Sequence, residues 1–435
     1  MQIGVVNGQS KFEYLFLGIA SALTFMVNYM CVNEHGGFAL FLSLFYLVLV
    51  ASQPTESALL YIVLVIPSTR SMEIAGVSVA VWVCLLYLIK RIFVNRGSLH
   101  MEILLPMGVY LIYCLQYYYR FESVMYGFLH PVKMLIVLVF LYEYAIDDKS
   151  YLNKISKISK ILFGWLSGAV LALLPVLMTT NVVGRIQAFN NDSNILSVQT
   201  VFILSCASVL LMKNNKVMSF FSYTVVVVVS MAICLICGSR NGFLLLLILF
   251  ASMIVLNLND KRLVRSIAIL VTIIFLITIA LNTSFVQMYI SGIQHRLDLL
   301  EQSGNVSNGR FDIWNEYLSV FGNNLWLWFF GLGTYSNYGL TQMAHNMFLE
   351  DISSYGIIGM LILASVYARV FFTVYKINMS LRNYGGRPRL FGIIPFTIPL
   401  IGGLTLHSMT SLPNTMMLYL GVVMMTFSSE KATRL

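Results

Sequence analysis

The sequence predicts an all-α, polytopic membrane protein with about 12 to 14 transmembrane helices. Of its 435 residues, 58% are hydrophobic and only 10% are charged, and the mean hydropathy is +0.81. A soluble domain carries about 25% charged residues, so this composition excludes a soluble enzyme, a coiled coil and a disordered chain. Apolar runs of about 20 residues, the length that crosses the hydrocarbon core of a bilayer, recur along the chain.

Charged residues and Pro or Gly breaks separate these runs and place the predicted spans. They lie near residues 14–32, 38–52, 55–67, 74–92, 101–118, 124–146, 158–180, 194–212, 217–236, 241–258, 263–281, 345–375, 390–407 and 412–428. The second and third spans are short and flank Gln53, Pro54 and Glu56, so they are either two helices or one broken pair.

The basic residues predict how the chain is oriented, because lysine and arginine concentrate in cytoplasmic loops. One side carries Lys11, Lys90, Arg91, Arg96, Lys149, Lys154, Lys157, Lys160, Lys213, Lys216, Lys261, Arg262, Arg265, Lys376, Arg382, Arg387, Arg389, Lys431 and Arg434. The other side carries only Arg70, Arg120, Arg185, Arg240, Arg296 and Arg310. We therefore expect one membrane domain over residues 1–435, with both termini cytoplasmic and a long outer loop over 282–344.

Every basic residue on the predicted outer side is an arginine. Arginine binds phosphate with two parallel hydrogen bonds and keeps its charge when it loses water. The pattern indicates an outward-facing anion site, although a set this small also arises by chance. In a membrane protein the position of each charge matters more than the net charge of +9, so nucleic acid is not an expected partner.

The outer loop is long enough to suggest a function of its own. Ser307-Asn308-Gly309 is suited to precede a helix that begins near Arg310. Four apolar residues then recur at helical spacing: Phe311, Trp314, Leu318 and Phe321. The loop therefore predicts an amphipathic helix that lies along the membrane surface, with Arg310 at its start, where free backbone N–H groups also bind phosphate.

Three further positions are candidates for chemistry. His345 stands where the loop re-enters the membrane and is followed by Asn346; its imidazole suits a general base, and the alternative is a packed histidine. Glu350 or Asp351 is a candidate to orient that base, but Glu350 is five residues from His345, a helical spacing that does not ensure contact. Arg240 lies between glycines that let a phosphate approach, or it extends to the headgroups. Lys133 lies inside a span, as a functional cation or paired with an acid or a backbone carbonyl.

Four elements resemble the O-antigen ligase and Wzy-type polymerase superfamily. His345-Asn346, nine residues and Gly356-Ile357-Ile358-Gly359 resemble its HN-x9-GxxG signature, and Gly238-Ser239-Arg240-Asn241-Gly242 resembles its SR motif. Residues 309–314 (GRFDIW) with 331–333 (GLG) resemble its long-loop pattern. Residues 185–194 (RIQAFNNDSN) are similar to its Arg-to-Asn segment, with Ser193 where the family often has Pro. The elements occur in the expected order over residues 180–360.

The resemblance implies a GT-C-like membrane glycosyltransferase in the bacterial inner membrane. Such enzymes act on a glycan carried by undecaprenyl pyrophosphate and need no metal or other cofactor. Arg240, Arg310 and Arg185 would bind the pyrophosphate and His345 would be the base, giving inversion at the anomeric carbon. Asn194, Asn346, Lys133 and Glu350 are the further candidates for substrate binding. Expected partners are the lipid-linked oligosaccharide, membrane lipids and a protein that regulates chain length.

Two alternatives stay open. The sequence favours a polymerase of capsule, exopolysaccharide or O antigen, because GSRNG is more similar to polymerases, over a ligase that transfers the glycan to lipid A core. A flippase for lipid-linked oligosaccharides is disfavoured, because it would place its cations in a central cavity, often between two related halves. No Walker loop, HExxH or Asp-rich motif is present, which further disfavours ATP-driven transport and metal-dependent transfer.

The orientation is tested by placing single cysteines in two predicted loops. We expect a membrane-impermeant thiol reagent to label Ser307→Cys in spheroplasts and to label Asn214→Cys only after the membrane is permeabilised. The wild-type chain, with its six cysteines, gives the background. Labelling in the opposite order would reverse the predicted topology.

Overall fold

A computed structural model describes residues 3–147, 155–179, 193–213, 220–256, nine single positions from 267 to 298, 309–340, 342–381, 390–405, 408 and 410–428. The helices are α1 (Ile3–Val32), α2 (Gly36–Ser52), α3 (Ala58–Val65), α4 (Val79–Phe93), α5 (Met101–Phe121), α6 (His130–Asp147), α7 (Ile155–Thr179), α8 (Ser193–Lys213), α9 (Phe220–Cys237), α10 (Arg240–Val255), α11 (Arg310–Asn323), α12 (Trp326–Phe330), α13 (Met347–Leu381), α14 (Ile394–Gly402) and α15 (Leu412–Ser428). A short antiparallel hairpin, β1 (Glu73–Ile74) and β2 (Val77–Ser78), pairs Glu73 with Ser78.

The structure confirms an all-α polytopic membrane protein. Five of the described helices are long and apolar enough to cross a membrane, namely Glu13–Val32, Met125–Asp147, Ser156–Thr179, Ser193–Leu211 and Met347–Ser380. Shorter apolar helices accompany them, and most match a predicted span. The predicted span near 263–281 falls almost entirely outside the described residues, as do Arg296 and Ser307-Asn308.

The two short spans near residue 53 are two helices. Helices α2 and α3 are separated by Gln53, Pro54 and a 3₁₀ turn, Thr55–Ser57. All eight residues of α3 are buried, and α3 packs against α7. Helix α8 is the most deeply buried of the long spans, since 94% of its most apolar stretch lies inside the protein. Helices α9, α10, α14 and α15 all pack against it.

A buried ion cluster joins α4 to α6 at the end of the bundle that the charges predict to be cytoplasmic. Arg91 pairs with Glu143, and its Nε lies 2.5 Å from Asp147 Oδ2. The backbone N–H and the ring Nδ1 of His100 contact the Glu143 carboxylate at 2.6 and 2.8 Å. Because Arg91 and Glu143 are 5% and 0% exposed, each neutralises a charge that would be costly to bury alone.

Helix α13 is broken at Gly356, which has a φ of +67°. The break frees carbonyl groups one turn upstream, and the outer loop supplies their donors: Leu332 N–H to Ser353 O at 2.6 Å and Gly333 N–H to Ser354 O at 3.1 Å. The phenol of Tyr113 donates to Tyr355 O at 2.7 Å. The break thus divides α13 into a short outer segment, residues 347–355, and a long span, and ties the outer segment to the loop.

Close approach of two backbones makes this pairing possible. A Cβ on Gly331 would lie 2.4 Å from Ser354 O, and one on Gly356 would lie 2.3 Å from Phe329 O. Both glycines have positive φ, which side-chain-bearing residues rarely adopt. Gly356, the first glycine of the GxxG element, and Gly331, the first glycine of GLG, therefore lie on the two sides of one backbone contact.

We expect Gly331→Ala and Gly356→Ala each to lower the free energy of unfolding by about 2–4 kcal/mol, through backbone strain and overpacking. Thermal unfolding in detergent, followed by size-exclusion chromatography, measures the change. Gly322→Ala is the matched control, because the space around that helical glycine is open and alanine favours a helix. Equal stability of all three variants would contradict the contact described above.

Candidate active site

The start of α13 fixes the backbone on both sides of His345. Asn346 caps the helix, since its Oδ1 accepts from Phe348 N–H at 3.1 Å and from Leu349 N–H at 3.2 Å. Upstream, Glu350 Oε2 accepts from the backbone N–H of Ala344 at 2.7 Å. His345 itself has a φ of +50°, an uncommon conformation for a non-glycine residue. These three hydrogen bonds fix the backbone on both sides of His345 at the start of α13.

Helix α11 packs against the segment that leads into His345. Trp314 Nε1 donates to Ala344 O at 2.8 Å, and the Tyr317 hydroxyl donates to Gln342 O at 3.1 Å. Burial, and then the nearby Glu350 carboxylate, raise the pKa of Tyr317 well above its usual value, so the phenol remains a donor. Arg310, half-buried, begins this helix one turn before Trp314. The Trp314 bond thus links the helix of Arg310 to the residue before His345.

The predicted start of the amphipathic helix at Arg310 is confirmed, but its predicted apolar face is partly wrong. The buried side chains are Ile313, Tyr317 and Phe321, which pack in a small core with residues 327–344. Phe311 and Leu318 are 62% and 49% exposed. They lie roughly a quarter to a third of a turn away from the buried row, which faces the returning loop. Helix α11 is therefore apolar on two sides.

The SR motif, at the start of α10, forms a second part of the site, which we call the α10 corner. Ser239 caps α10, accepting from Gly242 N–H at 3.1 Å, and donates to Asn194 Oδ1 at 2.9 Å. Arg240, the first residue of the helix, is exposed. Asn241 Nδ2 donates to Gly402 O at 3.2 Å, at the end of α14. The motif therefore leaves Arg240 at the surface while its neighbours bind two other helices.

Helix α14 connects this corner to His345. A Cβ on Gly403 would lie 2.5 Å from Met347 Cε, so the Met347 side chain packs directly on that glycine. Met347 is two residues from His345, and Gly403 directly follows the carbonyl that Asn241 binds. Arg240, Arg310 and His345 thus come from three helix starts that are joined by direct contacts.

One predicted site residue, Lys133, does not join this group. The Lys133 ammonium donates to Gly76 O in the hairpin at 2.9 Å, so its partner is a backbone carbonyl. The acid Glu143 pairs instead with Arg91 and His100. Arg185 lies outside the described residues. Asn194 does join the group, through Ser239. Among the residues that the structure describes, no three His, Cys, Asp or Glu side chains are grouped as metal ligands would be.

Sequence reasoning missed two tyrosines that hold the loop. Besides the Tyr113 bond to the helix break, the Tyr117 hydroxyl donates to Phe330 O at 2.8 Å. These residues are four apart on α5 and so share one face. The spacing of four residues indicates that the two hydroxyls lie on one face of α5, but it does not predict which carbonyls they bind.

Comparison with known proteins agrees with the motifs. Residues 224–364 match a protein-family model described as O-antigen ligase. This stretch is similar to the O-antigen ligase family. It includes Arg240, Arg310, His345 and the break in α13, and it fits the O-antigen ligase and Wzy-type polymerase superfamily, as the resemblance predicted. No curated protein and no solved structure matches the chain.

The match to the O-antigen ligase family indicates the general activity. Members of the family are membrane enzymes of the ligase or glycosyltransferase-like type that act in polysaccharide and lipopolysaccharide synthesis. The match therefore supports a function of the O-antigen ligase or polymerase type.

The hydrogen bond of Glu350 generates a prediction about its role. We expect Glu350→Ala to lower the free energy of unfolding by about 1–3 kcal/mol, because it leaves the Ala344 N–H buried without an acceptor. Glu350→Gln keeps an oxygen at that position and should stay near wild-type stability. Chemical unfolding in mixed micelles measures both variants. A fully folded but inactive Glu350→Gln would show that the negative charge acts in the chemistry.

Proposed function

We propose that the protein is a polysaccharide polymerase that joins oligosaccharide repeat units carried on undecaprenyl pyrophosphate. The reaction takes place at the outer face of the bacterial inner membrane and inverts the anomeric carbon. The growing chain on one lipid is the donor, and a hydroxyl of the next lipid-linked unit is the acceptor. The family match supports glycan transfer in general, and the arrangement of the site supports a transfer in which a pyrophosphate leaves. The choice of polymerase over ligase rests on the similarity of residues 238–242 (GSRNG) to polymerases.

One observation carries the proposal: the elements that bear Arg240, Arg310 and His345 contact one another although they are far apart in sequence. Trp314 joins α11 to Ala344, and Asn241 with Gly402-Gly403 joins α10 to Met347. Two arginines and an imidazole at one end of a bundle match a reaction in which a diphosphate leaves and a hydroxyl loses its proton.

His345 is the proposed general base. It takes the proton of the acceptor hydroxyl as that oxygen forms a bond to the anomeric carbon of the donor sugar. The Asn346 cap and the Glu350 bond to Ala344 fix the backbone around it, which limits the orientations of the imidazole.

Arg240 and Arg310 are proposed to bind the leaving group. As the bond between the anomeric carbon and the phosphate oxygen breaks, negative charge develops on undecaprenyl pyrophosphate. A guanidinium group binds two phosphate oxygens at once and needs no deprotonation step. The backbone N–H groups at the starts of α10 and α11 add donors with the same preference for anions.

The second candidate is the ligase reaction, in which the same donor is transferred to lipid A core. The description of the matching family model favours it. The two reactions share the donor, the leaving group and the base, and differ only in the acceptor.

The acceptor is identified by adding purified protein to the lipid-linked repeat unit alone and separating the products on a gel. A ladder of longer glycans is expected and supports the polymerase. Transfer that occurs only after lipid A core is added would replace the polymerase by the ligase. Transport of the substrate across vesicles without any new glycosidic bond would reject both and indicate a flippase.

Substitutions test the proposed roles within the same assay. We expect His345→Ala and Arg310→Ala to lower kcat by at least about 100-fold, and Arg310→Lys by about 10-fold, because lysine loses the bidentate contact. His35→Ala and Arg120→Ala are matched controls, since both side chains are exposed at the predicted outer side. Wild-type turnover of His345→Ala would exclude it as the base.

A further inference from the structure

A chain of five polar side chains runs through the bundle below His345 and belongs to none of the sequence motifs. The Tyr355 hydroxyl lies 2.6 Å from His130 Nδ1, and His130 Nε2 lies 3.5 Å from Thr410 Oγ1. The Thr410 hydroxyl contacts Ser408 Oγ, and Ser408 donates to Asp351 Oδ1. We call these residues the buried polar chain.

The donors and acceptors of the buried polar chain follow one direction. With the proton of His130 on Nε2, Tyr355 donates to the ring, the ring donates to Thr410, Thr410 donates to Ser408, and Ser408 donates to the carboxylate. Each member between the ends accepts from the preceding side chain and donates to the next, and Ser408 Oγ also accepts from the backbone N–H of Thr410 at 3.0 Å. His130 suits the middle of such a chain because its ring has a nitrogen on either side.

Three members of the chain are buried, and His130 and Ser408 are half-buried. Tyr355 and Asp351 are each 1% exposed, and Thr410 is 3% exposed. The His130 ring is stacked on Tyr126 with centroids 6.1 Å apart. A polar group in such a place is costly unless it is bonded, and a chain of bonds is satisfied only in one arrangement of its members. The buried polar chain therefore fixes the relative positions of its five side chains more narrowly than apolar packing would.

Both ends of the chain lie on the outer segment of α13. Asp351 and Tyr355 are four residues apart and so face the same side of the helix, towards α6 and the residues that follow α14. The break at Gly356 separates this segment from the rest of α13. Backbone bonds to the loop hold its carboxyl end, and the buried polar chain fixes its rotation about the helix axis.

The outer segment bears the site residues at its other end. Asn346 caps it, and Glu350 reaches back from it to Ala344. A rotation of the segment would therefore displace the backbone on both sides of His345.

We propose that His130 is a positioning residue: through Tyr355, Thr410, Ser408 and Asp351 it holds the outer segment of α13 in the orientation that places His345 for glycan transfer. The assignment rests on the proposed function. His130 reaches no substrate itself. Its effect is transmitted by the segment that it holds.

Three variants of one helix test this role. His130→Leu fills most of the ring volume without any polar atom, and we expect kcat to fall about 10- to 100-fold while KM for the lipid-linked unit changes less than threefold. His130→Asn keeps an acceptor near the Tyr355 hydroxyl, and its kcat should be at least about threefold higher than that of His130→Leu. Val132→Ala is the control, since that side chain is 41% exposed on the same helix. Wild-type kcat in His130→Leu, or equal losses in both His130 variants, would overturn the proposal.

Hydrogen–deuterium exchange tests the proposal without substrate. We expect the amides of residues 347–355 to exchange at least threefold faster in His130→Leu than in the wild type, while those of 196–210 in α8 are unchanged. Unchanged exchange in 347–355 would overturn the positioning role. If His130→Leu does not fold, Thr410→Val removes the next hydroxyl of the chain with little change in volume, and the same two measurements apply.

The exchange result also separates the two proposals. If no lipid-linked glycan is elongated or transferred by the wild type, the proposed function fails, while faster exchange in His130→Leu would still support the rigid attachment of the segment. If the wild type is active and His130→Leu matches it, only the role of His130 fails.

Discussion

The break at Gly356 leaves carbonyl groups inside an apolar bundle, where water does not reach them. Each such group needs a donor, because an unbonded carbonyl in hydrocarbon costs several kcal/mol. The loop backbone at Leu332 and Gly333, and the hydroxyl of Tyr113, supply these donors. The outer loop is therefore held in register with α13 by main-chain bonds, and the contacts around His345 depend on that register.

The pairing of the loop backbone with α13 positions the residues around His345 through two further contacts. The loop returns over residues 340–344 and buries the inner side of α11, so Trp314 meets Ala344. Ala344 is then bonded through both of its backbone groups, its carbonyl to Trp314 and its N–H to Glu350. A residue next to His345 is thus fixed by one side chain from α11 and one from α13, which attaches α11 to the bundle.

The sequence predicted the fold class, most of the spans and the start of α11, because apolar run length and helix-start signals are local properties. It did not predict which side of α11 is buried, since that depends on a loop that returns some 20 residues later. Nor did it distinguish the partners of Lys133, because an acid and a backbone carbonyl were equally compatible with its position. The role of His130 was hidden for the same reason: its partners Tyr355 and Thr410 lie 225 and 280 residues away.

The ion cluster at the opposite end of the bundle constrains how the protein is made. Arg91 and Glu143 are 52 residues apart, so at about 5–20 residues per second the ribosome delivers the acid some 3–10 s after the arginine. We expect the end of α4 that carries Arg91 to stay in the headgroup region until α6 arrives, because a cation buried without its partner is costly. Helices α4 and α6 are then expected to reach their final depth together. On this expectation, one pair of charges makes the insertion of the two helices a concerted step.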